Sequence, residues 1–169
     1  VLAADQMLHL DDYKAAERTF ALITQVCGRA GRGNKEGRAV IQTYSPDSPV
    51  IQKAAAQDYV SFYQDEIIMR KALNYPPFCD IIDIMIFDTN KDKAIKCINK
   101  LHFEIKNALG NQAKVFRVVP CIISKISNKY RFHFWIKCVL NKEICGKIDT
   151  IVDEFSESSV IIDVNPVSL

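Results

Sequence analysis

The feature that most constrains the fold is the order of strand and helix patterns after residue 78. Residues 80–88 form an apolar, β-branched run, and residues 91–109 repeat apolar side chains at helical spacing until Gly110. Strand patterns follow at 114–123 and 130–140, on either side of a polar turn at 124–129. A helix pattern at 141–155 and a last strand pattern at 159–166 complete the series. This β-α-β-β-α-β order predicts a ferredoxin-like α+β domain.

The first 78 residues have different patterns. Ala16, Phe20, Ile23 and Cys27 recur at helical spacing and predict a helix that ends at a glycine-rich stretch, with Asp11 or Asp12 as its cap. A β-branched run at 37–44 predicts a strand. The breaker-free segment 50–75 predicts one helix or two, closed by Pro76 and Pro77. This part is therefore expected to be α/β.

Composition excludes several classes of protein. The 169 residues contain no apolar run near the ~18 residues that a membrane span needs, and the start has no secretory pattern. Because the chain lacks an initiator methionine and opens in an apolar run, we expect a fragment of a longer protein. The six cysteines include no C-x-x-C pair, which predicts core residues in a reducing cytoplasm and no metal site.

Charge is concentrated in one region. The net charge is only +2, but residues 113–147 carry eight Lys and Arg against one acid, Glu143. A local basic region of this kind is typical of a surface that binds anions.

A glycine-rich stretch places two arginines three positions apart. Arg29 and Arg32 each follow a glycine, Gly28 and Gly31, and Gln25 lies one helical turn earlier. Guanidinium groups match phosphate oxygens, and neighbouring glycines let a ligand approach closely. From charge alone, a basic surface loop whose glycines end a helix is the favoured explanation of the stretch. The full pattern Q-x-x-G-R-x-G-R is more specific.

That pattern resembles motif VI of superfamily 2 helicases. Other segments are similar to one family within that superfamily, the PriA (primosomal protein N′) replication-restart DNA helicases. The similar segments cover the chain in order: 4–8, 15–33, 40–52, 54–66, 75–78, 123–137 and 162–166.

The resemblance implies a domain organisation. Residues 1–57 would be the C-terminal part of a second RecA-like helicase lobe, 58–78 a helical linker, and 79–169 a C-terminal domain that binds DNA or protein. Arg29 and Arg32 would reach the γ-phosphate of ATP, with Gln25 coupling the nucleotide to DNA and Gly28 and Gly31 as nucleotide-site backbone.

The resemblance also implies an ATP site, of which this chain contains only a part. The sequence has no G-x-x-x-x-G-K-[ST] loop, so we expect the chain alone to hydrolyse no ATP, although the intact protein would use ATP and Mg²⁺. The family's zinc ligands belong to an upstream insertion, and none is expected here. Val119 stands where the family usually has glycine, and Ser48 where histidine is common.

The second domain offers a basic hairpin. Alternation along 130–137 sends Tyr130, Phe132, Phe134 and Ile136 to one face of the sheet. The opposite face would receive Arg131, His133, Trp135 and Lys137, next to the turn lysines Lys125 and Lys129.

A face of this kind suits the phosphates and bases of DNA, or an acidic peptide with an apolar end. It could also be a partly covered rim with Trp135 packed. His133 is expected to be structural, and His9 and His102 receive no role.

The resemblance implies several partners: forked and single-stranded DNA, single-stranded DNA-binding protein through its acidic tail, and other primosome proteins. Gln64 and Arg70 lie on the expected linker helix and are candidates to line the pocket for that tail. No membrane partner is expected.

The sequence is compatible with three functions. The chain can be part of a DNA-dependent helicase that binds forks and supplies arginines to an ATP site. It can also be a docking module for a protein tail, or a structural piece that supports the helicase lobes.

Overall fold

The computed structural model describes residues 3–9, 12–30, 38–155 and 159–166. The chain divides between Leu73 and Asn74 into two compact units. We refer to them as the N-terminal unit and the C-terminal unit (Asn74–Pro166).

The described part of the N-terminal unit is helical. A 3-10 turn at Gln6–His9 is followed by α1 (Ala15–Ala30), α2 (Pro49–Ala55) and α3 (Tyr59–Ala72). Its core gathers buried apolar side chains from all three α-helices and from the turn region: Ala4, Phe20, Ile23, Ile51, Ala54 and Phe62. The rings of Phe20 and Phe62 stack at 4.3 Å between centroids, which fixes α3 against α1.

Segment 50–75 forms two helices, one of the two outcomes that the sequence allows. Gln57 takes a positive φ of 56° between α2 and α3. Asp58 then caps α3, its carboxylate accepting a hydrogen bond from the Ser61 N–H at 3.1 Å. Although α3 was expected within a linker, its Phe62 packs in the core of the N-terminal unit.

The strand expected at 37–44 is not formed in the described residues 38–44. Within the described part of the chain the Ala4 N–H donates to the Gln42 carbonyl at 3.0 Å, but residues 38–44 form no strand ladder there. A β-branched run is therefore not sufficient to predict a strand.

The C-terminal unit follows the expected order with one strand split in two. Its strands are β1 (Asp80–Asp88), β2 (Ala113–Val115), β3 (Val119–Ile126), β4 (Lys129–Cys138) and β5 (Ser159–Val164). Its helices are α4 (Lys91–Leu109) and α5 (Lys142–Asp153). Gly110, at φ 50°, ends α4 as the sequence predicted.

The five strands form one antiparallel sheet. The strand order is β2-β4-β1-β5. β3 pairs with the same edge of β4 as β2 does, but with the first half of β4, whereas β2 pairs with its end. Ile82, Ile84 and Phe134 on one face pack against Ile98 and Leu101 of α4, together with Ile144 and Ile148 of α5. The chain is thus α/β with a small antiparallel sheet and helices. No helix in the described ranges combines the length and the apolar content needed to cross a bilayer.

Candidate functional site

The hairpin of β3 and β4 has a tighter turn than the sequence indicated. Ile126 pairs with Lys129 across the strands. Ser127 and Asn128 form the two-residue turn with φ of 48° and 63°. Positive φ at both central residues matches the twist of a hairpin, and asparagine tolerates that region. The expected turn over 124–129 is therefore corrected to these two residues.

A bulge interrupts β3 below this turn. Pro120 pairs with Phe132 and Lys125 pairs with Tyr130, so residues 121–124 stand opposite Arg131 alone. Cys121 remains 7% exposed, whereas Ile122 is 85% exposed and Ile123 is 60% exposed. The sequence gives no sign of this bulge, because an unbroken apolar run is also typical of a regular strand.

The cations of the hairpin keep their charge near solvent. Lys125 and Lys129 are exposed, with their ammonium groups 4.7 Å from the Tyr130 ring and 5.4 Å from the Phe87 ring. Arg131 is half-buried and donates to the sulfur of Met85 at 3.2 Å. Residues 113–137 contain six Lys and Arg and no Asp or Glu. The cations therefore face no acid from their own segment.

The expected alternation along β4 is present, but its outer face is not an open row. Phe132, Phe134 and Ile136 enter the core as predicted. On the other face Trp135 is half-buried, and Lys137 is half-buried with its ammonium 3.4 Å from the centre of the Tyr75 ring. Burial lowers the pKa of Lys137. The expectation of a solvent-facing row is corrected, and the open cations lie at Lys125 and Lys129.

His133 has a partner that the sequence analysis did not find. Its Nδ1 lies 2.9 Å from Oδ1 of Asp83 on β1, and both side chains are buried. The Trp135 ring meets the imidazole edge-on at 5.4 Å. Asp83 lies 50 residues earlier in the chain. The pair could be found only with the register of β1 against β4, and we found no signal for it in the sequence.

The arginine-glycine stretch begins in the last turn of α1. Gln25 and Arg29 are exposed and lie one helical turn apart, which places them on the same side of the helix. A Cβ added to Gly28 would meet no atom within 4 Å. Gly31 and Arg32 lie outside the described residues.

These described residues fit part of a nucleotide site. Arg29 and Gln25 can offer a guanidinium and an amide to a phosphate. A helix C-terminus carries partial negative charge, so side chains rather than the α1 backbone would have to hold an anion. Arg29 itself is favoured at that end of the helix.

Arg70 on α3 is engaged inside the N-terminal unit. Its guanidinium bonds Glu66 and Glu17 at 2.9 Å each and lies 5.6 Å from the centre of the Tyr13 ring. Burial lowers the pKa of Arg70, but the hydrogen bonds and charges of the two glutamates outweigh it and raise the pKa. Gln64 is exposed.

Metal ligands do not converge in the described residues, where no group of three His, Cys, Asp or Glu could hold an ion. All six cysteines are free thiols, and Cys79, Cys121 and Cys138 are buried. Burial raises the pKa of the Cys138 thiol to about 11, which keeps it protonated and unreactive at neutral pH.

Comparison with known proteins places the chain among relatives of one name. Replication restart protein PriA of Chlamydia trachomatis serovar D is 37% identical over 172 residues, with 99% of this chain and 23% of that protein covered. The protein of the same name from Synechocystis is 35% identical, covering 100% of this chain and 20% of that protein. The Bacillus subtilis protein is 33% identical, covering 98% and 21%. The chain thus spans less than a quarter of the length of these relatives.

A solved structure gives a weaker similarity. The de novo designed protein Foldit4 aligns with 52% of this chain and 97% of its own at 17% identity, with a TM-score of 0.41.

A family model decides the membership. The model described as primosomal protein N C-terminal domain matches residues 71–167, which is more than half of the chain. The resemblance noted in the sequence is therefore confirmed: the chain belongs to the PriA family, with residues 71–167 as its primosomal protein N C-terminal domain.

Proposed function

We propose that this chain is the C-terminal part of an ATP-dependent 3′–5′ DNA helicase. The intact protein recognises stalled replication forks and initiates primosome assembly for replication restart. Its relatives carry the name replication restart protein PriA, and the Q-x-x-G-R-x-G-R pattern at 25–32 supports the helicase assignment. On this proposal the protein acts in the cytoplasm with forked and single-stranded DNA and other primosome proteins.

The domain assignment belongs to the same proposal. Residues 1–57 finish a second RecA-like lobe, 58–78 form a helical linker and 79–169 form the C-terminal domain. The strand order of the C-terminal unit, with two helices packed on one sheet face, supports a ferredoxin-like fold for it.

In the proposed ATP site, Arg29 and Arg32 contact the γ-phosphate, and Gln25 links the nucleotide to DNA. ATP and Mg²⁺ supply the phosphoryl group and the charge that neutralises its oxygens when they are bound. This chain's arginines stabilise negative charge that develops on those oxygens. The phosphate-binding loop is not in these 169 residues, so this chain alone hydrolyses no ATP.

For the chain itself we propose DNA binding through the β3–β4 hairpin. The observation that carries this proposal is the exposure of Lys125 and Lys129 in a segment with no acid. Cations that replace the counterions of DNA phosphates provide most sequence-independent affinity. Arg131, Trp135 and Lys137 lie on β4 with Lys129 and are half-buried. The proposal includes them as the less exposed part of the surface.

The test is fluorescence anisotropy of labelled forked DNA at low salt with the 169-residue chain. The variant Lys125→Ala/Lys129→Ala removes two exposed charges. The control Lys91→Ala/Lys106→Ala removes two exposed charges from α4. We expect the hairpin variant to bind on the order of tenfold more weakly and the control to bind within about twofold of the parent chain. Equal losses in both variants, or no binding by the parent chain, would overturn the proposal.

The alternative is a docking module for the acidic tail of single-stranded DNA-binding protein. The same cations favour it, because they can hold carboxylates. A peptide with the sequence of such a tail would then displace labelled DNA from the hairpin, or would bind the chain even if forked DNA shows no binding.

Arg70 and Gln64 remain candidates to line a pocket for that tail. Since Glu17 and Glu66 already bond Arg70, its guanidinium would have to exchange partners to hold a peptide carboxylate. Unaltered peptide affinity in Arg70→Ala would remove it from the candidates.

A further inference from the structure

Two adjacent isoleucines point into solvent at the bulge of β3. In a regular strand, neighbouring residues face opposite sides, so one of two consecutive apolar residues usually reaches the core. Here four residues stand opposite one, which breaks the alternation and leaves Ile122 85% exposed and Ile123 60% exposed. Cys121 stays buried at the start of the bulge.

Packing of the C-terminal unit does not explain this pair. Neither isoleucine belongs to its core, and both stand out from an edge strand. Contiguous exposed apolar side chains on a soluble domain usually mark a contact surface. Because the pair protrudes, it requires a partner with a flat or concave apolar face.

The surroundings of the pair favour DNA as that partner. Lys125 follows the bulge directly, Lys129 lies across the turn, and Arg131 stands opposite the bulge. Apolar side chains between cations match a base face between phosphates, and isoleucine is among the residues that proteins insert at base steps. A terminal base pair already exposes one face, so covering it costs less than opening an internal step.

We propose that Ile122 and Ile123 form an apolar wedge that packs on the terminal base pair of a duplex–single-strand junction. Lys125 and Lys129 hold the phosphates beside that pair. The wedge rests on the proposed DNA binding of the hairpin and adds to it a preference for junctions, which cations alone do not give.

The test uses forked DNA with 2-aminopurine either at the terminal base pair of the junction or well inside the duplex. The wedge displaces the neighbouring single-stranded base, so fluorescence rises at the terminal position when the chain binds and stays unchanged at the internal one. The variant Ile122→Ser/Ile123→Ser loses this rise. It also loses roughly tenfold in affinity for the fork, while single-stranded DNA binds within about twofold of the parent chain.

The control variant Phe103→Ser/Val139→Ser removes two exposed apolar side chains elsewhere in the C-terminal unit. It should keep the fluorescence rise. The emission of Trp135, the only tryptophan, checks that each variant keeps its fold.

The outcomes separate the two proposals. If the parent chain binds no DNA, the proposed DNA binding fails and the wedge fails with it. If the parent chain binds DNA without a junction-specific rise, or the Ile122→Ser/Ile123→Ser variant keeps the rise, the wedge alone is overturned. If that variant loses only the binding of an acidic peptide, the isoleucines serve a protein partner and the wedge is overturned as well.

Discussion

At the scale of single residues, Asn165 holds together three parts of the C-terminal unit. Its side-chain oxygen accepts from the Ile81 N–H, and its amide donates to Asp80, each at 2.9 Å. The other oxygen of Asp80 accepts from the Leu140 N–H after β4. Asn165 also takes a positive φ of 52°, which asparagine tolerates better than most residues. The start of β1, the end of β4 and the end of β5 are thus joined.

Asn165→Ala should therefore destabilise the C-terminal unit. It removes two hydrogen bonds and leaves alanine, which lacks the polar side chain that makes this region tolerable for asparagine, in the left-handed conformation; together these changes cost about 2–3 kcal/mol. Urea unfolding followed by Trp135 fluorescence measures the change. Asn107→Ala, on the exposed side of α4, is the control and should change stability by less than about 0.5 kcal/mol. Equal stability of the two variants would contradict the role of Asn165.

The cap of α3 gives a prediction about pH. Hydrogen bonds from Ser61 lower the pKa of Asp58 below its ordinary 3.8. A carboxylate with a lowered pKa in the folded chain adds stability above its unfolded pKa and loses it as pH falls through the folded value. Asp58→Asn keeps the cap without titrating. The stability of the parent chain relative to this variant should fall below about pH 4. A pH-independent difference in urea unfolding would contradict the cap's contribution.

Residue-level features could be predicted where they are local. Gly110 ends α4, and a glycine after a helical repeat is a local signal. Asp83 and His133 could not be paired, because their contact depends on the register of two strands far apart in the chain. Of the partners of Arg70, Glu66 lies one helical turn earlier on α3 and is a local signal, whereas Glu17 on α1 could not be paired with it from the sequence.

At the scale of elements, periodicity predicted the helices and β1 but not the details of pairing. The spacing of Ala94, Ile98, Leu101 and Ile105 indicates α4, because all four side chains enter one core. The segment 114–123 was expected to be one strand, whereas β2 ends at Val115 and β3 begins at Val119. Where a strand bulges depends on its partner, so the exposed pair Ile122 and Ile123 could not be anticipated.

The stacked pair of phenylalanines should hold α3 in the N-terminal unit. Phe62→Ala removes a buried ring and should cost about 3–5 kcal/mol. Circular dichroism should show the helical signal of the N-terminal unit melting at lower urea. The Trp135 transition should not move, because that residue lies in the other unit. The exposed Tyr63→Ala is the control, and a shared shift of both signals in Phe62→Ala would contradict this assignment.

At the scale of the whole molecule, the sequence predicted different things for the two units. The arginine-glycine pattern was part of the resemblance to the PriA family, although Gly31 and Arg32 lie outside the described residues. The basic region indicated a binding surface, but the sequence could not show which cations are open. Lys137 lies against Tyr75, whereas Lys125 and Lys129 remain exposed. The position of the basic region could thus be predicted from the sequence, whereas the exposure of each cation could not.

The central claim is that the β3–β4 hairpin neutralises DNA phosphates, and the salt dependence of fork binding tests it most directly. The logarithm of the binding constant should fall linearly with the logarithm of salt concentration. In Lys125→Ala/Lys129→Ala the slope should be shallower by about 1.4–1.8, corresponding to two lost phosphate contacts on single-stranded or duplex DNA, while Lys91→Ala/Lys106→Ala should keep the slope of the parent chain. Parallel lines for the hairpin variant and the parent chain would show that these lysines do not contact DNA and would contradict the account.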